Sequence, residues 1–346
     1  MTKNSKYSLF NGIVGQERAL GILRSILETG KTHHAYAFTG PEGVGKHDAA
    51  RAFAASLCCA ESGCGSCSSC RRFLEERFHP DMHFLSPPEG KRFIPVESVR
   101  EIQKILSLSH SEAAGKVLII NPADRMTEAA SNALLKTLEE PPESTYIILV
   151  SSRPWHLLST IRSRCQRIRF APLDASDIME ILSSQGTYNP DALSAAAVYA
   201  QGSLSRAQNF LEHDMNDSWA GVKEFFNAIQ SENSLEAVNT ASAAGRDRDE
   251  AIHALELFLF TLHGMLRQSA GAGRFILPFD SALEVDQYDD DASFLLDAME
   301  LALRALENID RNQHHVLTLE SMLITIRDRK RRTSRDILHD SAGREY

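Results

Sequence analysis

The stretch AYAFTGPEGVGKHDAA, residues 35–50, reads as an apolar β-like run, then a glycine-rich turn, then a helical segment. Gly40, Gly43, Gly45 and Lys46 fit the spacing G-x-x-x-x-G-K. A loop of this kind, set between a strand and a helix, aims successive backbone N–H groups and a helix N-terminus at an anion, and its lysine reaches the outer phosphates. The next position is His47, where a Ser or Thr hydroxyl would hold Mg²⁺. An imidazole lacks the hard oxygen that this ion prefers.

Working outward, strands and helices alternate through the first 170 residues. KVLIIN (116–121) and TYIILVSS (145–152) are continuous apolar runs of the buried parallel type. Val96, Val99, Ile102 and Leu106 share one helix face, and Ala130, Ala133, Leu134 and Leu138 share another. This alternation predicts an α/β domain with a parallel sheet and crossover helices. A nucleotide hydrolase of this type needs carboxylates at the end of a second strand, to hold Mg²⁺ and to polarise the attacking water. At the end of KVLII stand Asn121 and Pro122 instead, and Asp124, three residues beyond the first expected carboxylate, reads as a helix cap. Two independent catalytic positions therefore lack the required chemistry, and ATP turnover by this chain is not expected.

After RIRFAPLD (167–174) the pattern becomes helical. Asp174 or Ser176 can cap a short helix, Asn189-Pro190 is a cap followed by Pro at the first helical position, and Gly202 stops the second helix. Further on, stripes at Leu255, Phe258, Leu259, Leu262 and Leu266, at Leu295, Met299, Ala302, Leu306 and Ile309, and at Leu319, Met322, Leu323 and Ile326 predict the core of a helix bundle. The expected divisions are 1–171 for the sheet domain, 172–212 for a small helical domain, 213–330 for an all-α domain and 331–346 for a solvated, mobile tail. The 346 residues suit two or three domains at the usual ~150 residues each. No apolar run approaches a bilayer span and no export signal is read at the N-terminus, so the expected location is cytosolic, with no membrane attachment. A net charge of −9 disfavours a surface that tracks a phosphate backbone by itself.

Five of the six cysteines fall in CCAESGCGSCSSC, residues 58–70. Cys64, Cys67 and Cys70 stand at two-residue gaps, and either Cys58 or Cys59 supplies a fourth thiolate. Four soft ligands at close spacing suit tetrahedral zinc, and an all-sulfur shell leaves no open position, so the expected role is structural. An iron–sulfur cluster fits less well, because the fourth cysteine of the usual run and its following Pro are missing. Cys165 has no evident His–Asp partner and is not read as a nucleophile.

GQERALGIL (15–23), HHAYAFTGPEGVGK (33–46), the cysteine cluster, HPDMHFL (79–85), ADRMTEAASNALLKTLEEPPE (123–143) and STIRSRCQRIRF (159–170) occur in that order. Together they resemble the AAA+ clamp-loader subunits of bacterial DNA polymerase III, and most closely the delta prime members. The resemblance is specific over the first 170 residues and extends beyond them only in length and helical character. It implies an AAA+ ATPase-like domain with a zinc module, a helical lid and a helical collar. Degenerate phosphate loops are common in delta prime members, whereas the tau/gamma members that hydrolyse ATP keep Ser or Thr after the lysine and an Asp-Glu pair on the strand. By the same resemblance, Arg164 of the Ser163-Arg164-Cys165 motif is an arginine finger for a neighbour's nucleotide. The spacing alone does not separate it from Arg162, which would project on the same side of an extended segment. The resemblance also places Arg206 near a nucleotide, leaves Gly40, Gly43, Gly45, Lys46 and His47 as a degenerate nucleotide site where ATP binding is an open question, and selects Cys58 with Cys64, Cys67 and Cys70 as Zn²⁺ ligands. Implied partners are tau/gamma and delta subunits and, through the complex, the sliding clamp and primed DNA. Two competing expectations are an active ATPase of the tau/gamma type, and a zinc-stabilised DNA-binding module.

Overall fold

The computed structural model describes residues 8–59, 61, 63–74, 79–108, 113–212, 215–271 and 291–342. In chain order its main elements are α1 (Glu17–Thr29), β1 (Ala35–Thr39), α2 (Lys46–Cys58), α3 (Ser68–Leu74), β2 (Met82–Leu85), α4 (Val96–Leu106), β3 (Lys116–Ile120), α5 (Glu128–Glu139), β4 (Thr145–Ser151), α6 (Ser159–Arg162) and β5 (Gln166–Arg169). Purely helical elements follow: α7 (Ala175–Gln185), α8 (Pro190–Ala200), α9 (Leu204–Glu212), α10 (Met215–Gln230), α11 (Ser234–Ala244), α12 (Arg248–Ser269), α13 (Ala292–Asp310) and α14 (His315–Ala342).

The five strands form one parallel sheet in the order β2-β3-β4-β1-β5. Every residue of β1 and β3 is buried, as expected of strands covered on both faces. One core layer joins Val99, Ile102 and Leu106 of α4 to Ala130, Leu134 and Leu138 of α5, over Leu118, Ile120, Ile147 and Leu149. The predicted faces of both helices are therefore the buried ones, with Val96 and Ala133 at the margin.

Helix starts differ in detail from the sequence expectation. The cap of α5 is Thr127, whose hydroxyl accepts from the Ala130 N–H at 3.2 Å, and not Asp124. Asp124 lies in a short 3-10 turn, Ala123–Arg125, and its carboxylate accepts from the backbone N–H of Ser152 instead. Asp174 occupies the N-cap position of α7 without a side-chain cap bond. Asn189 accepts from the Asp191 N–H at 2.9 Å just before Pro190 opens α8.

Contacts divide the chain into two units. The first runs through Thr187 and regains Ala200–Ala207; the second is Tyr188–Tyr199 together with Gln208 onward. The segment expected as a separate lid, 172–212, is shared: α7 and the first turn of α9 go with the sheet, and nearly all of α8 goes with the bundle. In the second unit α12 is buried on several faces at Leu255, Leu257, Phe258, Phe260 and Leu262, with Phe258 edge-on to Phe225. The buried line of α13 runs through Leu295, Ala298, Ala302, Ala305 and Ile309, and all four residues of the predicted α14 stripe are buried. α14 continues to Ala342, through the segment expected as a tail; residues 343–346 lie outside the described residues. No described helix is long and apolar enough to cross a membrane.

Candidate functional site

In a parallel α/β sheet, ligands gather beyond the carboxyl ends of the strands. Here β1 delivers the glycine loop to that edge, β3 delivers Asn121 and β4 delivers Ser152. Gly40, Gly43 and Gly45 all have positive φ, at 155°, 71° and 84°, and α2 begins at Lys46. The strand–loop–helix context of a phosphate cradle is thus present. The loop is nevertheless hemmed in by protein. A Cβ on Gly40 would stand 2.4 Å from the Phe170 carbonyl oxygen, and one on Gly43 would stand 2.4 Å from both the backbone N and the hydroxyl of Ser205, in the first turn of α9.

Lys46 is 5% exposed and turns back into its own loop. Its ammonium donates to the Gly40 carbonyl at 2.8 Å, to the Pro41 carbonyl and to the Ser152 hydroxyl at 3.3 Å. All three of its donors thus have acceptors within the protein. Burial lowers its pKa to about 8, with Glu42 and Asp124 pulling in the opposite direction.

The two residues that replace the expected magnesium ligands face each other. Asn121 Nδ2 and His47 Nδ1 are hydrogen-bonded at 3.1 Å. The His47 ring lies 5.9 Å from that of Phe84. An amide and an imidazole, bonded to each other, offer no anionic oxygen to a hard cation. Arg206 is half-buried in α9, with its backbone N–H donating to the Ser203 hydroxyl. Gln16, which the sequence left unremarked within GQERAL, is 2% exposed and uses both ends of its amide on the backbone of Ala171, at 2.8 and 2.9 Å.

Arg164 lies at the amino-terminal end of the strands, opposite to the loop. It precedes β5, and β5 runs parallel to β1 with Tyr36 opposite Gln166 and Thr39 opposite Arg169. Four residues of strand, ~13 Å at about 3.3 Å each, therefore separate the level of Arg164 from that of the glycine loop. Arg162 belongs to α6 and is exposed; the segment is not extended, so the two arginines do not project alike. Arg164 Nη2 pairs with Glu139 Oε1 at 2.7 Å, and Nη1 donates to the Thr160 carbonyl at 3.0 Å. A cavity of about 480 Å³ lies beside it, walled in part by His34, Leu138, Glu139, Ser163 and Cys165. His34 Nε2 donates to the Leu138 carbonyl at 2.9 Å. Burial pushes the Cys165 thiol up to about 12, which removes it as a thiolate nucleophile.

The sulfurs of Cys59, Cys64, Cys67 and Cys70 lie within 4.8 Å of one another. Cys59 joins this group, and the expected Cys58 does not. Cys58 is the last residue of α2, is buried, and donates its thiol to the Gly115 carbonyl at 3.3 Å; burial pushes its pKa up to about 12. The chain leaves the helix at Cys59 in an extended conformation, φ −91° and ψ 129°, and consecutive side chains part to opposite sides. Backbone N–H groups of Cys67 and Cys70 point at the sulfurs of Cys64 and Cys67, at 3.4 and 3.3 Å. Such bonds favour thiolates, and those at Cys64, from Cys67 and Ser66, bring its pKa down to about 6. Four sulfurs at this separation fit a tetrahedral metal with bonds of ~2.3 Å.

A family model described as DNA polymerase III, delta subunit, matches residues 15–174. DNA polymerase III subunit delta' of Yersinia pestis is 33% identical over 273 residues, 75% of this chain and 77% of that protein. The subunit delta' of Bacillus subtilis (strain 168) is 40% identical over 173 residues, 49% of this chain, and the match spans about half of that protein, 52%. DNA polymerase III subunit tau of Escherichia coli (strain K12) is 32% identical over 258 residues, 70% of this chain and 39% of that protein.

Proposed function

Because the chain belongs to the delta prime family of bacterial DNA polymerase III clamp-loader subunits, we propose that it acts there as a largely non-hydrolysing stator. In this reading its AAA+ type sheet domain no longer turns over ATP, and it lends Arg164 to the nucleotide of a neighbouring tau/gamma-type ATPase during loading of the sliding clamp onto primed DNA. The observation that carries the reading is the His47–Asn121 hydrogen bond, which joins an imidazole and an amide where a hydrolase places its magnesium ligands. The buried, self-saturated ammonium of Lys46 supports it. The position of Arg164 supports action in trans, since the chain's own loop lies at the opposite end of the strands. Cys59, Cys64, Cys67 and Cys70 would hold a structural Zn²⁺ and fix the segment between α2 and α3. The cytosol and a hetero-oligomer with tau/gamma and delta subunits complete the proposal.

The test is reconstitution with tau/gamma and delta chains on primed DNA. Arg164→Ala is expected to leave assembly intact and to depress turnover at the one dependent site by about 10³-fold, the scale of arginine fingers. An unchanged rate in an intact complex would sink the finger. The active-ATPase alternative is favoured by the retained Gly40, Gly43, Gly45 and Lys46. It predicts hydrolysis by the isolated chain that is abolished by Lys46→Met, and the proposed function predicts none above background.

A further inference from the structure

We propose that Glu139 is a positioning residue for Arg164: it holds the guanidinium against this chain's own edge until the phosphoryl oxygens of a neighbour's nucleoside triphosphate draw it away. The proposal rests on the finger reading above. Glu139 is the last residue of α5 and Glu140 follows it, so two carboxylates sit where the helix dipole is negative. Acidic groups are disfavoured there unless a cation answers them. Arg164 is that cation, with Nη2 2.7 Å from Glu139 Oε1, and its second edge is occupied by the Thr160 carbonyl. The end of α5 is itself fixed, since the Leu138 carbonyl accepts from His34. Glu139 is thereby presented to Arg164 from a rigid base.

The pair is built for exchange. The side chains of Arg164 and Glu139 are 37% and 51% exposed, so water screens the pair and keeps it weak. A triphosphate offers more charge than one carboxylate, and its oxygens suit the two-pronged donor geometry of the guanidinium. The adjoining cavity of about 480 Å³ leaves the side chain room to move. A neutral group at position 139 would remove the competitor without disturbing packing, and would favour finger engagement before DNA has organised the complex.

The experiment is steady-state ATPase of the full reconstituted complex, with and without primed DNA. Glu139→Gln is expected to raise the DNA-free rate by about 2- to 5-fold, the scale of an exposed ion pair. It should leave the rate at saturating DNA unchanged, and the gain should shrink at high salt. Glu139→Asp should bring the DNA-free rate back toward that of the unmodified chain. In an Arg164→Ala background, Glu139→Gln should do nothing. If Arg164→Ala lowers turnover but Glu139→Gln leaves the DNA-free rate unchanged, or raises it equally without Arg164, the positioning role is overturned and the finger stands. If Arg164→Ala itself has no effect, the finger reading falls and this inference with it.

Discussion

At the scale of single residues, Lys46 carries a measurable signature. Its ammonium is charged in water up to a pKa of 10.5, but burial in the loop brings it to about 8. Between these values the unfolded chain binds a proton that the folded chain has released. Folding is therefore favoured increasingly as pH rises from about 8 to 10.5, and below 8 the whole desolvation cost is present. The stability difference between the unmodified chain and Lys46→Met should climb in that window; denaturant titrations at a series of pH values check it, and a flat difference would contradict the buried pose. Gly43 offers a second test. Its φ of 71° is costly for an L side chain, and a Cβ would meet the Ser205 backbone at 2.4 Å. Gly43→Ala should cost about 2 kcal/mol or more in chemical unfolding, because backbone cannot yield as a flexible side chain can. Gly43, Lys46, His47 and Asn121 were legible from spacing, since local chemistry marks them, whereas Arg164 was singled out only by the resemblance of its Ser163-Arg164-Cys165 motif. Their partners Ser205, Ser152 and Glu139 were not, because each comes from a distant part of the chain.

At the scale of elements, the cysteine module shows how a one-residue step in helix termination decides which thiol joins the sulfur group. α2 ends at Cys58, which turns into the core toward Gly115, and the extended backbone at Cys59 sends the next thiol to Cys64, Cys67 and Cys70. Metal analysis of purified variants distinguishes the two. Cys59→Ser should lose bound zinc and lower thermal stability, and Cys58→Ser should retain one zinc per chain, because its hydroxyl can still donate to Gly115. Retention of zinc by Cys59→Ser together with its loss in Cys58→Ser would reverse the assignment. Spacing could not decide between adjacent cysteines; the decision lies in where the helix stops. The same holds for α5, where Thr127 and Asp124 are both good cap residues and the 3-10 turn at Ala123–Arg125 hands the role to Thr127. Strands β1, β3 and β4 and the amphipathic faces of α4, α5 and α14 were legible because burial imposes a pattern on neighbouring residues, whereas the short β2 and β5 were not.

At the scale of the whole molecule, the parallel pairing of the neighbouring strands β1 and β5 puts the glycine loop and Arg164 at opposite ends of those strands. That separation is the reason Arg164→Ala is expected to act on a neighbour's turnover and not on any chemistry at the chain's own loop. The boundaries expected in the helical region were less legible, since 172–212 is shared between the two units and sequence periodicity does not say which neighbour a helix packs on. By itself the sequence determined the α/β class, the glycine loop with His47 after its lysine, and the cysteine cluster, because these depend on residue type and short spacing. Only the tertiary structure decided that His47 and Asn121 satisfy each other, that Lys46 fills its own loop, that Cys59 is the fourth sulfur and that Glu139 holds Arg164. Each of those depends on hydrogen-bond distances and helix ends set by packing between segments far apart in the chain, which residue order does not encode locally.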